Sequence, residues 1–387
     1  MRLIKTIDDI VAGGLDTLGE GYEIVSELEG ADAILMRSTD VHDLELPPTI
    51  RAVARCGAGT NNIPSDRFAR QGVVVFNTPG ANANAVKELV IGCLMLGSRD
   101  VLGGMRWCRE HEGDANVYAE AEASKKAFVG REVMGRKIGI VGLGAVGSKV
   151  ANACVDLGMQ VYGYDPYLSV DHAWQLSRLV TPVNDLDELC RAADYLTVHV
   201  PRKDDTIGMI GTDQLALLNP GALVLNYARE GIVDDDAIRE ALLSGHVKQY
   251  ITDFATPETL ALPNTLVTPH AGAGTVEAEE NCAHMAIAEL KDYLENGNIT
   301  NSVNYPACNM GVCRGASRIA CLHANVPNMI GQITAVLADA SANVQRMTNE
   351  NAGEVAYTMF DTDEHLEPAI IERLKAIGHM WRVRVIQ

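Results

Sequence analysis

Apolar residues in this chain gather into short unbroken runs, separated by longer stretches where they recur at helical spacing. Ala33-Ile34-Leu35-Met36, Ala52-Val53-Ala54 in the strand-like run from Arg51, and Val73-Val74-Val75-Phe76 are such runs. Continuous apolarity without alternation is the mark of a strand buried on both faces, as in a parallel sheet covered by helices. From Asn84 toward Arg109 the pattern turns periodic and predicts one long helix, followed by a charged, Ala-rich stretch from Glu110 to Gly135. Six further strand-like runs then begin at Lys137, Gln160, Tyr195, Ala222, Tyr250 and Thr265, with helix-length patterns between them. A strong helix follows over about 275–295, and Asn296-Gly297-Asn298 breaks it. Residues 317–387 read strand, helix, strand, strand, helix, strand, the βαββαβ order of a separate small unit. The whole is expected to be α/β on mostly parallel sheets.

Composition narrows the class. At 387 residues the chain holds two to three domains with cores of their own. No apolar run reaches the roughly 18 residues of a membrane span, and Met1-Arg2-Leu3-Ile4-Lys5 lacks a signal-peptide core, so no membrane association and a cytoplasmic location are expected. The nine cysteines are odd in number and scattered, which suits reduced thiols. Cys308 and Cys313 have no second pair at zinc-finger spacing, so no metal is expected. A formal charge of −19 argues against nucleic acid as partner. It also means that an anionic ligand must be held by local Arg and Lys.

Gly142-Leu143-Gly144-Ala145-Val146-Gly147 directly follows the strand ending at Val141 and opens a helix, and Asp165 closes the next strand. That context turns a weak GxGxxG match into a dinucleotide site. The glycines permit a tight turn and let a pyrophosphate approach the free N–H groups of the helix N-terminus. Asp165 would bind the ribose hydroxyls and repel a 2′-phosphate. With Pro166 and Tyr167 next to it, no neighbouring Arg favours NADP, so NAD is the expected cofactor.

Three later segments, Leu225 to Asp234, Thr252 to Glu258 and Thr268 to Thr275, resemble the signatures of the D-isomer-specific 2-hydroxyacid dehydrogenases, and the resemblance covers residues 30 to 305. It implies a Rossmann-type parallel-sheet NAD domain (98–274) inserted in a flavodoxin-like substrate domain (1–97 and 275–305). It also implies Arg229, Glu258 and His270 as the catalytic set. A guanidinium can hold a carboxylate through two parallel hydrogen bonds while polarising the adjacent carbonyl. His270 would exchange the hydroxyl proton, with Glu258 paired to it and raising its pKa. Asp253 would orient the nicotinamide carboxamide, and Thr78, His199, Val200, Pro201, Tyr227, Ala228 and Ala273 would line the cofactor.

For the substrate, Gly57-Ala58-Gly59 resembles a backbone cradle for its carboxylate, while Arg37, Ser38 and Asn82 match the far end of the pocket. The resemblance implies that Arg37 would select a phosphorylated substrate, and D-3-phosphoglycerate, oxidised in the first step of phosphorylated serine biosynthesis, is the expected one. Lys87 stands where many relatives carry a small residue and is a second phosphate ligand or a partner of His270 in proton transfer. The Ala-Gly-Ala-Gly run after His270 lacks a Ser before Thr275, a second departure. Alternatives are glycerate or lactate as substrate, or a non-catalytic NADH-binding regulator. Pro269 before His270 disfavours formate dehydrogenase.

His323-Ala324-Asn325-Val326-Pro327, followed by a helix and Ala342-Asn343-Val344, resembles an ACT domain, a module that binds amino acids at subunit interfaces. The resemblance implies His323, Asn325 and Asn343 as effector contacts and a homo-oligomer, dimer or tetramer. Asn328 replaces the Gly that normally follows the Pro, which counts against serine as effector.

Overall fold

The computed structural model describes residues 1–386. The chain forms two compact units, Met1–Asn82 together with Val276–Gln387, and Ala83–Thr275.

In the first unit, strands β1 (Arg2–Thr6), β2 (Tyr22–Val25), β3 (Ala33–Met36), β4 (Ala52–Arg55) and β5 (Val74–Phe76) make a parallel sheet in the order β2-β1-β3-β4-β5. This is the flavodoxin-like order. Side chains alternate between its faces as the strand period requires: Ala33, Leu35, Ala52 and Ala54 enter one core, Ile34, Met36 and Val53 the other. The helix Val276–Asn296 covers the first of these faces with Ala283, Ala286, Ile287 and Leu290.

The second unit holds seven parallel strands, β6 (Lys137–Val141), β7 (Gln160–Tyr164), β8 (Thr181–Pro182), β9 (Tyr195–Val198), β10 (Ala222–Asn226), β11 (Val247–Thr252) and β12 (Thr265–Val267). Their order is β12-β11-β10-β9-β6-β7-β8. The strand order reverses between β6 and β9, the switch point at which open α/β sheets bind ligands. Along β10, Ala222 and Val224 face one core while Leu223 and Leu225 face the other, so both sides are dry.

The periodic stretch from Asn84 is two helices, Ala83–Ser98 and Val101–Glu110, not one. Asp100 causes the break by capping the second helix, its side chain accepting the Gly103 N–H at 2.9 Å.

The C-terminal residues form the antiparallel sheet β14-β15-β13-β16, from β13 (Ser317–Ala324), β14 (Val344–Ala352), β15 (Val355–Thr362) and β16 (Met380–Val385). The order is ferredoxin-like. It is not a separate body: Ile319 and Cys321 pack on the sheet's own helices, but Ala320, Leu322, Tyr357 and Met359 share a core with Tyr293, Leu294 and the first sheet. Arg318, fully buried, fixes the junction. It pairs with Asp361 (2.7 and 2.9 Å) and donates to the Asn296 carbonyl at 3.0 Å, at the end of the covering helix. An isolated buried charge would be prohibitive, so pairing and hydrogen bonding are what make this position tolerable.

Candidate active site

In the second unit the glycine loop lies at the C-terminal end of β6. Gly142 adopts φ +88°, and a Cβ there would lie 2.8 Å from the His199 carbonyl oxygen. At Gly147 a Cβ would come within 1.9 Å of the Gly142 carbonyl, so only glycine lets the helix Ala145–Asp156 approach the strand. Gly144, by contrast, meets nothing within 4 Å, and the helix behind it has no side-chain cap. Open space before uncapped N–H groups, including those of Ala145 and Val146, is what a pyrophosphate needs. Asp165 accepts the N–H groups of Leu143 (2.8 Å) and Tyr167 (2.9 Å), which holds its carboxylate at the loop. These residues fit a dinucleotide. His199 bonds Thr197 Oγ1 through Nε2 (3.0 Å), its buried Nδ1 has no partner, and burial pushes its pKa down to about 3, so it is neutral. Val200 and Pro201 follow it at the loop edge, partly and fully exposed.

The sequence-predicted catalytic residues lie just beyond β10, β11 and β12. Arg229 is half-buried and its loop is shaped by Asn226, which accepts the Ala228 N–H (3.1 Å) and donates to the Arg229 carbonyl (2.9 Å). Arg229 Nη1 donates to the Ala228 carbonyl at 2.7 Å, and Arg229 makes no ion pair among the described residues. His270 is exposed, with φ +53°, a left-handed backbone that costs a non-glycine residue. Its ring packs edge-on against Phe254, with centroids 5.3 Å apart. The expected pairing with Glu258 is not formed: no ion pair or hydrogen bond joins the two, and Glu258 is exposed. The short helix Pro257–Leu260 that carries Glu258 is instead anchored by Thr259, whose hydroxyl donates to the Phe254 carbonyl at 2.7 Å.

Asp253 is only 2% exposed, and its carboxylate accepts Thr268 Oγ1 (2.5 Å) and the Ala271 N–H (2.8 Å) on Oδ1 and the Gly272 N–H (2.8 Å) on Oδ2, so it shapes the His270 loop and keeps acceptor capacity on Oδ2. Tyr227 and Ala228 are buried. Ala273 is partly exposed. Lys87, partly buried in the first helix of the unit, has Glu88 at 3.5 Å, and its neighbour Val86 packs by Gly272.

In the first unit Gly57, Ala58 and Gly59 follow β4. Gly57 accepts the Thr78 N–H (3.0 Å), Ala58 accepts Asn77 Nδ2 (2.6 Å), and Gly59 accepts Arg55 Nη1. Thr78 is fully buried in this unit. Asn82 is partly buried. Arg37 and Ser38 follow β3, and Arg37 Nη1 lies 2.6 Å from Glu279 Oε1. Three residues were missed by motif reading: Asp8, Arg55 and Glu279. None belongs to a signature, and each acts on the Arg37 loop from another segment: Asp8 and Glu279 through their carboxylates, and Arg55 by donating Nε to the Arg37 carbonyl at 2.8 Å.

The effector residues are not brought together within the chain. His323 is buried and its ring is satisfied by the Ala324 carbonyl and Thr358 Oγ1, each at 2.8 Å. Asn325 donates to Gly353 at one end of the sheet, while Asn343 donates to Asp363 at the other, where Val344 and Ser317 both pair with Thr362.

Residues 91–272 match the NAD-binding domain model of the D-isomer-specific 2-hydroxyacid dehydrogenases, and the chain belongs to that family. It is 31% identical over 342 residues to D-3-phosphoglycerate dehydrogenase of Escherichia coli, covering 85% of this chain and 79% of that protein. It is 30% identical over 371 residues to the protein of the same name from Methanocaldococcus jannaschii, covering 92% of this chain and 66% of that one. Among solved structures, NAD+-bound 3-phosphoglycerate dehydrogenase of Entamoeba histolytica matches with a TM-score of 0.62 and 25% identity, over 78% of this chain and 98% of that one. No helix among the described residues is long and apolar enough to cross a membrane.

Proposed function

We infer that the protein oxidises D-3-phosphoglycerate to 3-phosphohydroxypyruvate with NAD, the entry reaction of phosphorylated serine biosynthesis. The observation that carries this reading is the 31% identity to the Escherichia coli enzyme across 79% of its length. The exposed His270 and ion-pair-free Arg229 at the strand ends are consistent with it. NAD, when bound, accepts the hydride from C2. Arg229 holds the substrate carboxylate and polarises the C2 oxygen, and His270 takes the hydroxyl proton. Glu258 would reach His270 only after moving from its exposed position. Within the first unit, the Ala58 and Gly59 amides are the groups proposed for the carboxylate and Arg37 for the phosphate, and in the second unit Lys87 is the proposed second cation; the Gly57 N–H is already donated to the Arg55 carbonyl at 2.9 Å. A panel of D-3-phosphoglycerate, D-glycerate and D-lactate with NAD and NADP, read by NADH absorbance, tests this. Preference for glycerate or lactate would overturn the substrate.

The Arg37–Glu279 pair favours one second reading, an unphosphorylated D-2-hydroxy acid such as glycerate, because Arg37 is already neutralised. We also propose a cytoplasmic homo-oligomer. The helices Val101–Glu110 and Val117–Ser124 bury no residue and expose Met105 and Tyr118, and light scattering on the purified protein tests the assembly. An amino-acid effector is a proposal resting on the ferredoxin-like order and the exposed Asn325 and Asn343; calorimetric titration with serine tests it.

A further inference from the structure

The loop after β3 holds its charges in balance. Asp8 accepts the backbone N–H groups of Arg37 (2.5 Å), Ser38 (3.1 Å) and Thr39 (3.2 Å) and the Thr39 hydroxyl (2.7 Å). Burial alone would raise the Asp8 pKa, but these hydrogen bonds outweigh it and hold the group below its ordinary value. The loop amides that could have met an anion are therefore spent on a resident carboxylate. The Arg37 guanidinium, the charged donor of that loop, meets a second one: Glu279 Oε1 at 2.6 Å. Glu279 sits in the first turn of the helix Val276–Asn296, next to the positive end of the helix dipole.

We propose that Glu279 is a specificity-determining residue, a resident carboxylate that a substrate phosphate must displace from Arg37. This rests on the reading of Arg37 as the phosphate anchor. A phosphate approaching Arg37 exchanges one charged acceptor for another, so only the difference between the two contributes to binding, and Glu279, once displaced, repels the dianion from close range. An unphosphorylated 2-hydroxy acid has no such competition to win. Glu279 thus narrows the preference of the enzyme for phosphorylated over unphosphorylated substrates.

The test compares wild type, Glu279→Gln, Arg37→Ala and the double variant by two readouts. One is the ratio of kcat/KM for D-3-phosphoglycerate to that for D-glycerate. The other is calorimetric affinity for inorganic phosphate, which needs no turnover. Pairs as exposed as this one shift equilibria only a few-fold, and relief of repulsion adds to that, so Glu279→Gln should raise both readouts about threefold to tenfold. The gain should vanish when Arg37 is Ala. Unchanged or lower values in Glu279→Gln, or an equal gain without Arg37, would overturn the proposal. If wild type does not oxidise D-3-phosphoglycerate, the substrate assignment falls, and a gain in phosphate affinity that depends on Arg37 still supports the role of Glu279.

Discussion

The backbone N–H of His270 donates to the backbone carbonyl of Asp253 at 2.8 Å, while the Asp253 carboxylate grips the two N–H groups that follow His270. The strained φ of His270 is thus held from both sides by one residue. Asp253→Asn keeps the volume but turns an amide N–H toward donors. Hydrogen bonds to a charged group contribute about 1.5–3 kcal/mol each, so a loss of roughly 1–3 kcal/mol in stability is expected, with kcat down at least about tenfold. Denaturant unfolding and steady-state kinetics check both. Wild-type values would mean that the loop holds its shape without Asp253.

His270→Ala should lower kcat by roughly 10²–10⁴ while NADH still binds, the usual range for a lost acid–base group. Retained activity would shift the role to Lys87, one residue from Val86 beside the same loop, and the His270/Lys87 double variant would then be decisive.

Cofactor choice is read from the glycine loop. With Asp165 held at its edge, kcat/KM for NAD should exceed that for NADP by at least about tenfold, equivalent to about 1.4 kcal/mol. Gly147→Ala should abolish NADH binding, since its Cβ would lie 1.9 Å from the Gly142 carbonyl oxygen. Fluorescence titration with NADH measures this, and normal binding would show that the helix can retreat.

Glu289 lies inside the first unit, where burial raises its pKa to about 7 despite a hydrogen bond from Asn301 at 2.7 Å; its second oxygen has no partner. The folded state therefore binds the proton more tightly than the unfolded chain, whose carboxyl titrates near its ordinary value of about 4.5. Below that value both states are protonated and nothing is lost. As pH rises from about 4.5 to about 7 the unfolded state ionises first and stability falls, by up to about 3 kcal/mol, then levels off. Unfolding of wild type and Glu289→Gln at several pH values compares the slopes. An equally steep decline in the variant would place the proton elsewhere.

The parallel sheets were legible because buried strands write unbroken apolar runs, and the glycine loop because its backbone geometry excludes side chains at Gly142 and Gly147. Strands β1, β2 and β8 carry no such run: Arg2–Thr6 mixes charge with apolar residues, Tyr22–Val25 lies at a sheet edge, and Thr181–Pro182 is a two-residue edge strand. The docking of the C-terminal sheet had a signal that went unused. Ile319-Ala320-Cys321-Leu322 is apolar on consecutive positions, which implies cover on both faces, not the single covered face of an independent ferredoxin-like unit. Asp8, Arg55 and Glu279 could not have been found by spacing, because their partners are set by tertiary approach. The absent Glu258–His270 contact shows the reverse, a motif present in sequence whose side chains stand apart.

The first unit is discontinuous, closing over residues 276–387 only after the intervening 83–275 have been made. On the ribosome, the opening 82 residues emerge without the helix Val276–Asn296 that covers Leu35 and Ala54, and at roughly 5–20 residues per second they wait about 10 to 40 s for it. The nucleotide-binding unit has all its strands by then. A nascent chain stalled after residue 275 should resist protease over 83–275 and be cut within 1–82; protection of both would show that the early sheet folds unaided. Folding order thus departs from synthesis order: residues 1–82 are made before the inserted unit and become native after it.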